Sequence, residues 1–205
     1  MQITLNKIGK KFQHEWVFRN INFQFYLGKS YALVGPNGSG KSTLLQIISG
    51  LLLPTEGEVL YQKRGKNIDP DDIFRYVDIS APYQELVEEF TLSEFLDFHF
   101  NFKTIKNEIS QKEMIYKMHL EKSAHKHIKN FSSGMKQRLK LALSFFSESP
   151  VMLLDEPTSN LDEHGINWYM QNIRTNISNK IILISSNQPS EYSFCDHIVN
   201  INDFK

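Results

Sequence analysis

The chain has 205 residues, 40% of them hydrophobic, and 23 basic residues balance 23 acidic ones. That length buries a core without staples, as one large domain or one core with an added subdomain, while the even charge argues against a sequence-independent nucleic-acid binder, which carries a basic excess. The single cysteine, Cys195, excludes a disulfide framework and suits a reducing compartment. Met1-Gln2-Ile3-Thr4 does not have the layout of a signal peptide, and no apolar run reaches the roughly 18 residues of a spanning helix. Any membrane role is expected to go through a partner.

From Gln2 to Tyr26 the pattern is β-like: Ile21, Phe23 and Phe25 alternate with Asn22, Gln24 and Tyr26, as on a half-buried strand. Leu27-Gly28-Lys29 turns the chain into a short apolar run, Tyr31-Ala32-Leu33-Val34. Gly35-Pro36-Asn37-Gly38-Ser39-Gly40-Lys41-Ser42-Thr43 follows and fits the phosphate-binding loop G-x-x-x-x-G-K-[ST]. Leu44-Leu45-Gln46-Ile47-Ile48 continues at helical spacing, which supplies the strand–loop–helix context the motif requires. The glycines let successive N–H groups face one anion, and the helix beginning near Lys41 aims its positive end at the same place. Lys41 adds a charge for the β- and γ-phosphates, and Ser42 offers a hydroxyl to Mg²⁺.

The helix is expected to end near Gly50. Pro54 to Gly57 reads as a turn, Glu58 to Tyr61 and Arg75 to Ile79 as short strands, and Asp69 to Asp72 as loop. Near residue 85 the character changes. Thr91-Leu92-Ser93-Glu94 and Ser110-Gln111-Lys112-Glu113 are capping boxes, the first with Phe90 and Phe95 placed as a hydrophobic staple. Phe95, Phe98 and Phe102 form a helical stripe, either core or a partner-facing surface. From about 85 to 149 only helices and polar loops are expected. The β pattern resumes at Val151 to Leu154 and Ile181 to Ile184, both apolar throughout, as strands covered on both faces are. A helix from about Gly165 to Asn176 separates them.

Asp155 and Glu156 end the first of these runs. Acids at a strand's C-terminal end lie at the crevice where open α/β sheets bind ligands. Asp155 is placed to hold Mg²⁺, and Glu156 to orient or deprotonate an attacking water. Ser132, Ser133 and Gly134 precede an apolar-periodic run (Leu139, Leu141, Ala142, Leu143). They mark a helix N-terminus, either an ordinary serine cap or a place where N–H groups and small hydroxyls receive an anion.

Asn130 to Leu139, containing Ser132-Ser133-Gly134-Met135-Lys136-Gln137, resembles the signature segment of ABC-type ATPases. Pro157-Thr158-Ser159-Asn160-Leu161-Asp162 resembles that family's proline turn and D-loop, directly after Asp155-Glu156. The resemblance covers nearly the whole chain. It implies an α/β fold with a P-loop NTPase core: a mostly parallel sheet with helices on both faces, an antiparallel β part at the N-terminus, and an inserted helical subdomain. On that reading 1–205 is a single ATPase domain, with 1–84 and 150–205 as the core and about 85–149 as the helical part.

The resemblance also implies an ATP-binding, ATP-hydrolysing subunit with Mg²⁺, working on the cytoplasmic face of a membrane through a permease on another chain. Two such subunits would pair head to tail, so that the Ser132–Gly134 end of one faces the γ-phosphate held by the other, with Asp162 nearby. Phe12 stands where the family stacks an aromatic on adenine; a strand aromatic facing the core is the alternative.

Three positions depart from the family. Ser133 stands where glycine is usual, and Met135 where glutamine is usual. Asn187, after the second apolar strand, stands where a histidine normally touches the γ-phosphate; asparagine donates a hydrogen bond but carries no proton or charge. The lid glutamine is displaced as well: Ala81-Pro82 hold its place, and Gln84 nearby is the candidate sensor of Mg²⁺ and the γ-phosphate, an exposed loop glutamine being the alternative. An ATP-driven motor for transport with slowed hydrolysis is the leading expectation, and an ATP-dependent regulatory switch is the alternative. No contact with nucleic acid is expected.

Overall fold

The computed structural model describes residues 1–106 and 109–205. Two sheets carry the architecture. β1 (Gln2–Phe12) and β2 (Glu15–Tyr26) form a long antiparallel hairpin, and β4 (Glu56–Lys63) and β5 (Lys66–Asn67) extend it in the order β2-β1-β4-β5. The second sheet has β3 (Ser30–Val34), β6 (Val77–Ser80), β7 (Val151–Asp155), β8 (Ile181–Ser185) and β9 (His197–Asn200), in the order β6-β7-β8-β3-β9. Every pair in it is parallel.

The apolar runs of β7 and β8 are continuous because each face of the parallel sheet meets its own core. Val151, Leu153, Ile181 and Leu183 pack with Ile3, Phe18, Phe25 and the residues of α1 (Lys41–Ile48). Met152, Leu154, Ile182 and Ile184 pack on the other face with Leu92, Met114, Leu139 and Trp168. Period-2 alternation thus sends neighbouring residues into opposite layers. The helical segment shares this second core with the sheet rather than holding one of its own.

That segment contains α2 (Leu92–His99), α3 (Gln111–Lys117) and α4 (Ser133–Phe146), with short 3-10 turns between them. Both expected capping boxes form, each with the serine or threonine and the glutamate bonded reciprocally. Phe95 is buried, whereas Phe98 and Phe102 remain exposed and meet edge to face at 5.3 Å. Phe90 meets Phe98 edge to face at 5.6 Å. Gly50, in the left-handed region at φ 80, closes α1 by donating to Ile47 while Leu51 donates to Gln46, a Schellman ending.

Several boundaries move; β4 starts at Glu56, inside the expected turn. Residues Pro70–Arg75 form a 3-10 turn capped by Asp69, where a loop was expected. The strand expected from Arg75 starts at Val77 because that turn holds the preceding residues. α5 (Glu163–Arg174) begins two residues before Gly165 because Asp162 caps it, accepting from the Gly165 N–H at 2.8 Å. A last short helix, α6 (Pro189–Tyr192), follows β8. No helix among the described residues is long and apolar enough to cross a membrane.

Candidate functional site

Because β3, β6, β7 and β8 run parallel, their C-terminal ends share one edge, where open α/β sheets bind ligands. Val34 of β3 feeds the loop of residues 35–40, in which Gly35, Gly38 and Gly40 all have positive φ (145, 76 and 105). A Cβ on Gly40 would run into Val17 and lie 2.9 Å from the Phe18 ring, so β2 presses directly on the loop and shapes it. No side chain caps α1, which starts at Lys41, and its first N–H groups are therefore available to an anion. The half-buried Ser42 and Thr43 stand in that first turn.

The Lys41 ammonium is 2.7 Å from the Gly35 carbonyl and 3.2 Å from that of Pro36. It is almost fully buried. Burial lowers its pKa, and the carboxylates of Asp155 and Glu156 oppose that shift, so all three charges share one neighbourhood. The Ser39 hydroxyl is buried with no protein partner, and a Cβ on Gly35 would sit 2.8 Å from it. A glycine-lined cradle, an unclaimed hydroxyl, an ammonium and an adjoining carboxylate make a donor set that fits a triphosphate with a hard divalent cation.

Asp155 closes β7 opposite Ser185 of β8 and is 3% exposed. Glu156 follows with φ 46, its N–H donating to the Ser185 carbonyl at 2.9 Å and its side chain exposed. A left-handed non-glycine costs about 1–2 kcal/mol, and such strain gathers at functional sites. Asn187, just beyond β8, donates from Nδ2 to Asn37 Oδ1 at 2.6 Å, which brings it onto the phosphate loop across 150 residues of chain. One buried carboxylate that sequence reasoning passed over supports this side. Glu191 accepts from the Thr158 N–H at 2.9 Å and so ties the turn after Glu156 to the segment after Asn187.

Phe12 is 51% exposed and lines an open depression with Trp16, Val17 and Gly38, which removes the core-facing alternative. Gln84 lines two clefts, one with Glu88, Lys136 and Lys140 and one with Phe74, His99 and Leu143; neither includes a phosphate-loop residue. Its neighbour Tyr83 stands by Asp155 instead. Burial pushes the Tyr83 hydroxyl up to about 12, Asp155 adds to that rise, and Gln46 opposes it by a hydrogen bond.

The structure does not bring Ser132, Ser133, Gly134 and Asp162 to this edge. They line a separate cleft of about 390 Å³. Ser132 caps α4 by accepting from the Met135 N–H. Gln137 donates to the Pro157 carbonyl at 2.8 Å, and Arg138 pairs with Asp162 at 3.3 Å. A Cβ on Gly134 would sit 3.0 Å from the Asn160 carbonyl. The start of α4 and the 157–162 segment therefore form one surface.

A phosphate loop fed by an inner strand of a parallel sheet, with a strand that ends in an acid two places away across β8, defines a P-loop nucleoside triphosphatase. The sequence profile described as "ABC transporter" matches residues 18–159. The ABC transporter ATP-binding protein YybJ of Bacillus subtilis (strain 168) is 31% identical over 98% of this chain and 92% of its own. The lantibiotic transport ATP-binding protein SrtF of Streptococcus pyogenes is 31% identical over 92% of this chain and 81% of its own. The solved dimer of MJ0796, titled a bacterial ABC transporter cassette, superimposes with a TM-score of 0.82 at 25% identity, covering 97% of this chain and 93% of that one. The chain belongs to the ABC transporter family, as one of its ATPase subunits.

Proposed function

We propose that this chain is the motor of a transporter whose membrane-spanning permease is a separate chain, and that it works at the cytoplasmic face as a head-to-tail dimer closed around two Mg-ATP. The observation that carries the reading is the division of the site. The phosphate loop, Asp155, Glu156 and Asn187 share one edge, whereas the Ser132–Gly134 helix end opens into a different cleft. Two copies related by a two-fold axis place each helix end against the other's loop. The dimeric structure of the similar MJ0796 cassette supports pairing of two such chains.

In this reading Ser42 and Asp155 would hold the cation, which would supply charge neutralisation to the phosphoryl group. The loop N–H groups and Lys41 bind the β- and γ-phosphates. Phe12 offers its exposed ring to the base. Glu156 accepts the proton of the attacking water. Closure follows because the Ser132 and Ser133 contacts to the nucleotide exist only in the paired state. A small cleft of about 170 Å³ between core and helical part, lined by Leu51, Phe74, Val77, His99 and Leu143, offers a permease an apolar seat. Leu51 and Phe74 stay largely exposed beside it.

Steady-state phosphate release tests the reading. The wild-type chain should turn over ATP with Mg²⁺, and Lys41→Ala should stop it; a Lys41→Ala chain that retains its rate would end the assignment. Asn187 is expected to slow the reaction, since it reaches the loop as a neutral donor. Asn187→His should therefore raise turnover, by up to the factor of about 10²–10³ that a single preorganised contact typically contributes. An equal or lower rate in that variant would remove slowed hydrolysis from the proposal.

A further inference from the structure

His119 holds a conformation that favours glycine and faces the cleft of the signature segment. α3 ends in a Schellman pattern: the His119 N–H donates to Tyr116 at 2.9 Å and the Leu120 N–H to Ile115 at 3.1 Å. The residue in the left-handed position of that pattern is usually glycine; here it is histidine, at φ 57. Its side chain is exposed, so packing does not explain the strained choice. Six other non-glycine residues among those described also have positive φ, so the place of His119 in the cleft carries the argument and not its conformation alone.

The surroundings say which function. His119 lines the same cleft as Ser132, Ser133, Gly134, Arg138 and Asp162. Arg138 is already paired with Asp162 at 3.3 Å, and the serines are neutral. Among the described residues lining the cleft, His119 is the one further side chain able to carry positive charge. An imidazole also donates charge-assisted hydrogen bonds to phosphate oxygens. On the phosphate-loop side Lys41 is the charged donor, and Asn187 at its edge is neutral.

We propose that His119 is a nucleotide-binding residue acting across the dimer, its imidazole contacting the phosphate chain of the ATP held by a second copy's phosphate loop. The inference rests on the head-to-tail reading above. It makes opposite demands on stability and on assembly at one position. A glycine at 119 relieves the backbone and removes the contact.

The test uses the full chain carrying Glu156→Gln, with Mg-ATP as the probe, dimerisation read by sedimentation and stability by thermal melting. Adding His119→Gly should weaken the dimer about tenfold or more while the melting temperature holds or rises by about 2–3 °C. His119→Asn, which tolerates the left-handed region and keeps a donor, should restore part of the affinity. A dimer equally tight in His119→Gly overturns the inference, and so does a lower melting temperature, which would mark a structural role. No dimer in the Glu156→Gln parent overturns the head-to-tail reading beneath it, so the two failures are told apart.

Discussion

Glu156→Gln should lower ATP turnover by about 10²–10⁴, the usual contribution of a positioned general base, while leaving nucleotide binding intact. Glutamine keeps the size of the side chain and one acceptor oxygen, with an N–H₂ donor in place of the other, but it cannot take a proton from water. The backbone should not change, because the Glu156 N–H that bonds the Ser185 carbonyl is independent of the side chain. Asp155, buried at the strand end, is untouched, as is the Lys41 ammonium resting on the loop. With hydrolysis slowed and binding preserved, Mg-ATP should drive the chain into a dimer that persists. Phosphate release measured beside sedimentation checks both halves. A turnover within a few-fold of wild type would remove Glu156 from the chemistry.

The parts of this protein that are contiguous in sequence were legible there. Nine consecutive residues, Gly35 to Thr43, carry the phosphate cradle, and their glycines adopt the conformations the motif requires. The capping boxes at Thr91 and Ser110 are equally local and form as read. The continuous apolar runs of β7 and β8 announced a sheet covered on both faces. What failed to show depends on contacts far apart in the chain. Gln84 and Tyr83 are neighbours in one turn, closed by the Gln84 N–H donating to Ala81. Lys140, on the distant α4, pins that turn through the carbonyls of Ala81 and Pro82. Side-chain direction within it is a tertiary outcome, and it sends Tyr83 rather than Gln84 toward Asp155. Glu191 is another such residue. Acids are usually exposed, so nothing local marks it as the buried acceptor for Thr158.

Lys180 gives the same lesson with an energetic consequence. It precedes β8 at the sheet edge opposite the nucleotide, and its side chain is almost fully buried. Its ammonium donates to the carbonyls of Ser144, Ser147 and Ser149 and lies 4.0 Å from Asp78 Oδ2. Asp78 in turn takes Lys103, from the helical part, at 2.9 Å and the Ser149 hydroxyl at 3.1 Å. Lys180→Met would strand three carbonyls and weaken the balance around Asp78, so a loss of about 3 kcal/mol is expected.

Burial pushes the Lys180 pKa down to about 8 from 10.5, with Asp78 pulling the other way. Between those values the unfolded chain holds a proton that the folded chain has released, so stability should rise with pH, by at most about 1.4 kcal/mol per unit. The Cys195 thiol acts oppositely. Burial pushes it from 9.0 up to about 12, so the folded chain keeps its proton while the unfolded chain loses one, and stability falls above about pH 9. The rise from Lys180 should therefore be clearest between pH 8 and 9. Urea denaturation across that interval should show the midpoint climbing more steeply in wild type than in Lys180→Met, where the other buried lysines still contribute. An equal climb in both chains would place the titrating group elsewhere.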